Sequence, residues 1–242
     1  MNNRTLRAGV LAAGRGERLR SRPADLKPLV RIGDQTLIEH VLNSMAAAGA
    51  TEVVVIINEE SRAVQDHVAK NDWPFALRWI VETTPTSMHS FLRLVETLAA
   101  DGSDGPLLLS TVDTVTSPKA YADFMERARV LNSAIALALT SPGEDEKPLL
   151  VRMASDSSRI VALGEAAAPS QFATAGVYAV RPEILREAEG ARDDGIGSLR
   201  KFLGRLLERG YELTGIPISE SIDVDRPQDI ETAEKFLRSA QR

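Results

Sequence analysis

The stretch Leu11–Leu29, LAAGRGERLRSRPADLKPL, places Gly14 and Gly16 directly after an apolar run and follows them with Arg15, Arg18, Arg20, Arg22 and Lys27. Glycine lets a backbone approach a ligand closely and turn its N–H groups toward anionic oxygens. Guanidinium and ammonium groups beside such a turn bind phosphate. The chemistry these residue types suit is the holding of a polyphosphate. The chain of 242 residues has a net charge of −5, so this positive cluster is local and a general nucleic-acid binder is excluded.

Two familiar phosphate loops do not fit. The dinucleotide pattern G-x-G-x-x-G would need glycine where Leu19 stands, and its acidic partner belongs at the end of a second strand roughly 20 residues on. The P-loop pattern read from Gly9 has Arg15 in place of lysine and Gly16 in place of the hydroxyl. What remains is a turn with Arg18 and Lys27 nearby, and two or three cations suit a triphosphate better than a single pyrophosphate bridge. The other arginines of the run, Arg15, Arg20 and Arg22, read more simply as a solvated face. Cysteine is absent, which excludes disulfides, thiolate metal sites and cysteine nucleophiles and is consistent with a cytoplasmic protein. The apolar run 8–13 is too short for a signal-peptide core, and no segment reaches the ~20 apolar residues of a membrane span.

The elements that must position these residues alternate. Strands are expected at 7–13, 52–58, 76–82, 106–112 and 134–140, and helices at 36–48, 60–71, 88–100 and 118–131. This order predicts an α/β fold: a Rossmann-like, mostly parallel sheet with helices on both faces. Short strands near 149–153, 159–163 and 172–180 suggest antiparallel additions in the C-terminal half. Helices near 182–189 and 196–209, a strand near 211–218 and a helix at 227–240 complete the chain, with polar loops at 141–148 and 189–197. No repeat or domain boundary is visible, so 1–242 is expected to be one domain. In a parallel sheet the ligand lies beyond the carboxyl ends of the strands, where Gly14 and Gly16 fall.

Residues 11–42 resemble the opening signature of the nucleotidyltransferases that make nucleotide sugars. Gly14, Gly16, Arg18, Lys27, Pro28, Leu29 and Gly33 fall in register with it. LLLSTVDTV (107–115) resembles the strand that ends in that family's metal-binding aspartate. RIVALGE and ATAGVYAVRPEIL (159–185) resemble its acceptor region, and SIDVDRPQDIETAEKFL (221–237) its closing element. The resemblance implies a nucleotide-diphospho-sugar transferase-like fold whose residues 1–115 bind nucleotide and whose residues 116–242 bind an acceptor.

Carried over by position, Leu11, Ala12, Ala13, Gly14, Arg15 and Gly16 would hold the nucleotide, with Thr84 and Ser87 beside them. Arg18, Lys27 and Asp113 would be catalytic. Asp113 with Asp223 or Asp225 would hold Mg²⁺, with Asp223 favoured, and Glu165, Thr174 and Gly176 would face the acceptor. The departures are Leu26 for proline, Glu17 for threonine, and TTPTSMHSFL (83–92) where sugar enzymes carry a glycine-bearing segment. That last segment and the DVD ending lean toward cytidylyltransferases of choline phosphate or inositol phosphate.

The reaction implied is attack of an acceptor phosphate on the α-phosphorus of an NTP, most simply with a sugar phosphate as acceptor. A phosphomonoester has a second pKa near ~6, so the nucleophile arrives ionised and needs no general base. A non-catalytic nucleotide sensor on the same fold is the competing class. Without the resemblance, Asp113 could equally cap the helix after it, and Asp225 the final helix ahead of Pro227. His40 and His67 read as packed or surface residues, while His89 lies near the nucleotide edge.

Overall fold

A computed structural model describes residues 5–14, 16, 18–19, 26–102, 104–142 and 148–240. Strand β1 (Leu6–Ala12) is followed by a hairpin, β2 (Arg31–Ile32) and β3 (Gln35–Thr36), and by helix α1 (Leu37–Ala47). Then come β4 (Ala50–Ile57), α2 (Ala63–Val68), β5 (Ala76–Val81), α3 (Ser87–Leu98), β6 (Leu107–Thr111), β7 (Thr114–Val115) and α4 (Pro118–Arg129). The rest is β8 (Ile135–Thr140), β9 (Val151–Met153), β10 (Ile160–Leu163), β11 (Ala173–Val180), α5 (Ala188–Asp193), α6 (Leu199–Glu208), β12 (Leu213–Pro217), β13 (Ile222–Asp223) and α7 (Pro227–Ala240).

Among the described residues, seven strands form one sheet in the order β12-β8-β11-β6-β1-β4-β5. β1 runs parallel to β4 and β6, β4 to β5, and β8 to β12; β11 alone is antiparallel to its neighbours β6 and β8. The fold is therefore the expected mostly parallel α/β sheet with an antiparallel element in its second half. Strand β4 shows why it forms. Val53, Val55 and Ile57 enter the apolar core shared with α1, α2 and α4, while Val54 and Ile56 enter the opposite core shared with α3 and α6. Both faces are covered, so the strand reads as an unbroken apolar run. Among the described residues no helix is long and apolar enough to cross a membrane.

Two expected elements differ. The helix read over 60–71 is a 3₁₀ turn, Glu59–Ser61, followed by the shorter α2. The helix read over 182–189 is a 3₁₀ segment, Pro182–Glu187, and α5 then occupies part of the polar stretch read as loop 189–197. Ala188 and Ala191 are the buried positions of α5, so a short helix with a very narrow apolar stripe passes for a polar loop. Most of the loop read at 141–148 lies outside the described residues.

Candidate active site

Three strand ends meet where the glycine turn begins. The carbonyl of Leu11 accepts from Val112 N–H at 3.1 Å, which ties β1 to the exit of β6. The Asn58 side chain, just after β4, donates to the Ala13 carbonyl at 3.2 Å. Gly14 stands in open space, and Gly16 takes φ +61°, in the region that favours glycine. A Cβ on Gly16 would come within 2.5 Å of Lys27 Cβ, so the glycine is also what lets the lysine stem lie against the turn. Leu19 N–H closes the turn onto the Gly16 carbonyl at 3.1 Å and buries its side chain. Arg18 stays exposed. Arg15, Arg20 and Arg22 lie outside the described residues.

Lys27 opens a 3₁₀ turn, Lys27–Leu29, and is only 7% exposed. Its ammonium donates to Asp113 Oδ2 at 2.6 Å and also to Asp225 Oδ1. Asp113 stands two residues past the end of β6, whereas Asp225 comes from the far end of the chain. The link between them is the two-residue ladder of β7 with β13, in which Asp223 pairs with Thr114 and Ile222 with Val115. Val224 N–H extends it by donating to the Asp113 carbonyl at 3.0 Å. As a result Asp113, Asp223 and Asp225 each offer a carboxylate oxygen, all within 4.8 Å of one another.

Burial by itself would lower the pKa of Lys27. The Asp113 charge, with the hydrogen bonds to Asp113 and Asp225, outweighs it and holds the ammonium above the ordinary lysine value. Burial would likewise raise the Asp113 carboxyl, but the Lys27 charge and the hydrogen bonds from Lys27 and Thr111 hold it below the usual carboxylate range. Both groups are therefore charged at neutral pH. Three convergent carboxylates form an all-oxygen donor set, which suits Mg²⁺, an ion that prefers one or two carboxylates together with phosphates and waters.

Neither aspartate serves as a helix cap. Ser117 caps α4, its side chain accepting from Ala120 N–H at 3.3 Å. In α7 the third residue, Asp229, reaches back and accepts from the backbone N–H groups of Asp225 at 3.0 Å and Arg226 at 2.7 Å, ahead of the helix. That leaves the Asp225 carboxylate to Lys27.

Asp223 and Asp225 open onto a cleft of about 420 Å³, whose lining also includes Arg18, Thr111, Thr114, Thr174, Gly176 and Arg226. Gly176 sits at φ +71° in β11, and a Cβ there would fall 2.2 Å from Thr114 Oγ1 and 2.5 Å from Thr111 Oγ1. The two threonine hydroxyls are themselves bonded at 2.8 Å. Thr111 and Thr114 were not singled out from the sequence. Their position on either side of Asp113 is the signal that could have found them.

The described lining of the cleft does not include Glu165, Thr84 or Ser87. Glu165 is exposed in the 3₁₀ turn Gly164–Ala167. Thr84 Oγ1 bonds Ser90 Oγ at 2.5 Å, and Ser87 Oγ accepts from Leu199 N–H at 3.0 Å, which ties α3 to the start of α6. His89 Nδ1 lies 2.9 Å from Thr86 Oγ1. His40 bonds the Ile32 carbonyl and His67 pairs with Glu39, as structural histidines do.

Residues 8–203 match a family described as the MobA-like NTP transferase domain. The chain is 27% identical over 193 residues to a mannose-1-phosphate guanyltransferase of Emericella nidulans, an overlap of 76% of this chain and 52% of that protein. It is also 27% identical over 244 residues to a bifunctional IPC transferase and DIPP synthase of Rubrobacter xylanophilus, covering 95% of this chain and 51% of that protein. The chain thus spans about half the length of the curated relatives it matches. Among solved structures, the inositol-1-phosphate CTP transferase from T. maritima shares the fold with a TM-score of 0.77 and 19% identity, over 98% of both chains.

Proposed function

Because the chain belongs to the MobA-like NTP transferase domain family, we propose that it is a nucleotidyltransferase that passes an NMP group from an NTP to a phosphorylated small acceptor. The observation that carries the reading is Lys27 buried between Asp113 and Asp225 beside the glycine turn, with Asp223 completing the carboxylate cluster. An acceptor phosphate oxygen would form a bond to the α-phosphorus, the α–β bridging P–O bond would break, and pyrophosphate would leave with the electron pair. The nucleophile needs no base, so the demand on the protein is to bring two anions together and hold them in line.

The residues divide that work as follows. The β1 end and the glycine turn, Leu11–Gly16, receive the nucleotide, with Thr84 and Ser87 toward its outer side. Arg18 neutralises the leaving pyrophosphate, and Lys27 reaches the triphosphate. Asp113, Asp223 and Asp225 would hold Mg²⁺, which when bound would supply positive charge to the phosphates. Thr174 and Gly176, with Glu165 farther out, face the acceptor. In this division residues 1–115 serve the nucleotide and residues 116–242 the acceptor within one domain, and the need for NTP puts the reaction in the cytoplasm.

A sugar phosphate is the acceptor favoured by the likeness to the guanyltransferase. A second reading, a cytidylyltransferase of an alcohol phosphate such as inositol phosphate, is favoured by the likeness to the IPC transferase, which extends over 95% of the chain. The test is pyrophosphate release with four NTPs against a panel of sugar and alcohol phosphates. The expected outcome is release with one pair, lowered by about 10²–10³-fold or more in Asp113→Asn without loss of fold. Release with no pair would favour a nucleotide sensor, and normal turnover in Asp113→Asn would remove Asp113 from the chemistry.

A further inference from the structure

Lys27 and a divalent cation would draw on the same two carboxylates, those of Asp113 and Asp225. The ammonium is bonded to Asp113 Oδ2 and to Asp225 Oδ1, and these carboxylates with Asp223 make up the oxygen donor set of the cluster. Three carboxylates this close repel one another unless a cation sits among them. Lys27, 7% exposed, supplies one positive charge to Asp113 and Asp225. We propose that Lys27 is a resident counter-cation of Asp113 and Asp225 and that a divalent ion entering the cluster displaces the ammonium from these two carboxylates. The proposal rests on the reading of the cluster as a cation site.

The backbone around Lys27 decides which part of the residue can move. Val30 N–H donates to the Lys27 carbonyl at 3.1 Å and Leu29 N–H to the Leu26 carbonyl at 2.9 Å, which fixes the 3₁₀ turn. Gly16 lies against the Lys27 Cβ. The stem lies against Gly16 as far as Cδ, so a displaced ammonium can move only about its last carbons while the rest stays beside the glycine turn. An ammonium released by the ion therefore remains within reach of a polyphosphate held by that turn. Cation and nucleotide then bind synergistically: the ion removes Lys27 from the carboxylates, and the nucleotide gives it a new anion. In the absence of nucleotide the ion binds weakly, because it must compete with the lysine.

Two measurements on the full chain, freed of metal by chelation, test this. The first is the Mn²⁺ dissociation constant, followed by the electron paramagnetic resonance of the free ion, for wild type, Lys27→Met and Lys27→Arg. Lys27→Met is expected to bind Mn²⁺ at least about tenfold more tightly than wild type, with Lys27→Arg close to wild type, since a tenfold change needs only about 1.4 kcal/mol. The second uses wild type alone and so does not depend on how the variants fold. The rate at which a water-soluble acylating reagent modifies Lys27, read by peptide mass spectrometry, is compared with that of the exposed Lys119 before and after Mn²⁺. Mn²⁺ is expected to accelerate modification of Lys27 severalfold relative to Lys119. An unchanged or slower Lys27 rate with Mn²⁺ bound overturns displacement, as does equal or weaker Mn²⁺ binding by Lys27→Met. Failure of every form to bind Mn²⁺ at millimolar concentration overturns the cation-site reading itself, and the proposal with it.

Discussion

Gly176 stands at φ +71° with two threonine hydroxyls where a side chain would begin. A left-handed backbone costs a residue bearing a Cβ about 1–2 kcal/mol before any collision is counted. Gly176→Ala should therefore lose at least about 1–2 kcal/mol of stability in urea unfolding. Because the new methyl would push apart Thr111 and Thr114, whose bonded hydroxyls flank Asp113, transfer should fall more than the stability loss alone explains. At this scale the sequence was legible where a residue belongs to a motif, as with Lys27 and Asp113. It was not legible where two residues of one type compete for one role. From the sequence Asp225 could cap α7 or join the metal site, and only the fold shows that its carboxylate takes the lysine while Asp229, inside α7, takes the backbone N–H groups of Asp225 and Arg226.

Helix α1 carries its own punctuation. The Glu39 carboxylate accepts from both the N–H and the hydroxyl of Thr36 at 2.7 Å. Burial would raise its pKa, but these bonds, with those from His67 and Asn71, hold it below the ordinary carboxylate range. A depressed native pKa contributes stability that is fully present above the unfolded value, about 4.3, and is lost as pH falls through the native one. Wild type should thus exceed Glu39→Gln in denaturant stability at neutral pH, and the gap should close in acid below ~4. Thr36→Ala should cost about 1 kcal/mol, the usual loss for a helix N-cap, read from the same unfolding curves.

The elements least legible were the shortest. The β7–β13 ladder has two residues on each side, too few to show any period, yet it brings Asp223 and Asp225 to Asp113. The long elements α1, α3 and α4 were legible because each keeps one apolar face over about three turns.

At the scale of the molecule, alternation of strands and helices announced a mostly parallel sheet, and the irregular second half announced the reversed β11. Strand order was not legible, since pairing partners far apart in sequence leave no local trace. Phe91 of α3 shows how the two halves are joined on one face of the sheet. It meets Tyr178 of β11 edge-on at 6.0 Å and Phe202 of α6 at 6.4 Å, fully buried. Phe91→Ala should cost about 3–5 kcal/mol in urea unfolding, the range for deleting a large buried ring.

The account's central claim is that a nucleoside triphosphate and a divalent ion meet between the glycine turn and the carboxylate cluster. Anomalous diffraction from crystals grown with Mn²⁺ and a non-hydrolysable NTP tests it most directly. The account predicts a manganese peak bounded by Asp113 and at least one of Asp223 and Asp225, with the triphosphate against Gly14–Gly16 and within reach of Arg18 and Lys27. A nucleotide seated elsewhere, or a manganese peak away from these carboxylates, would contradict it.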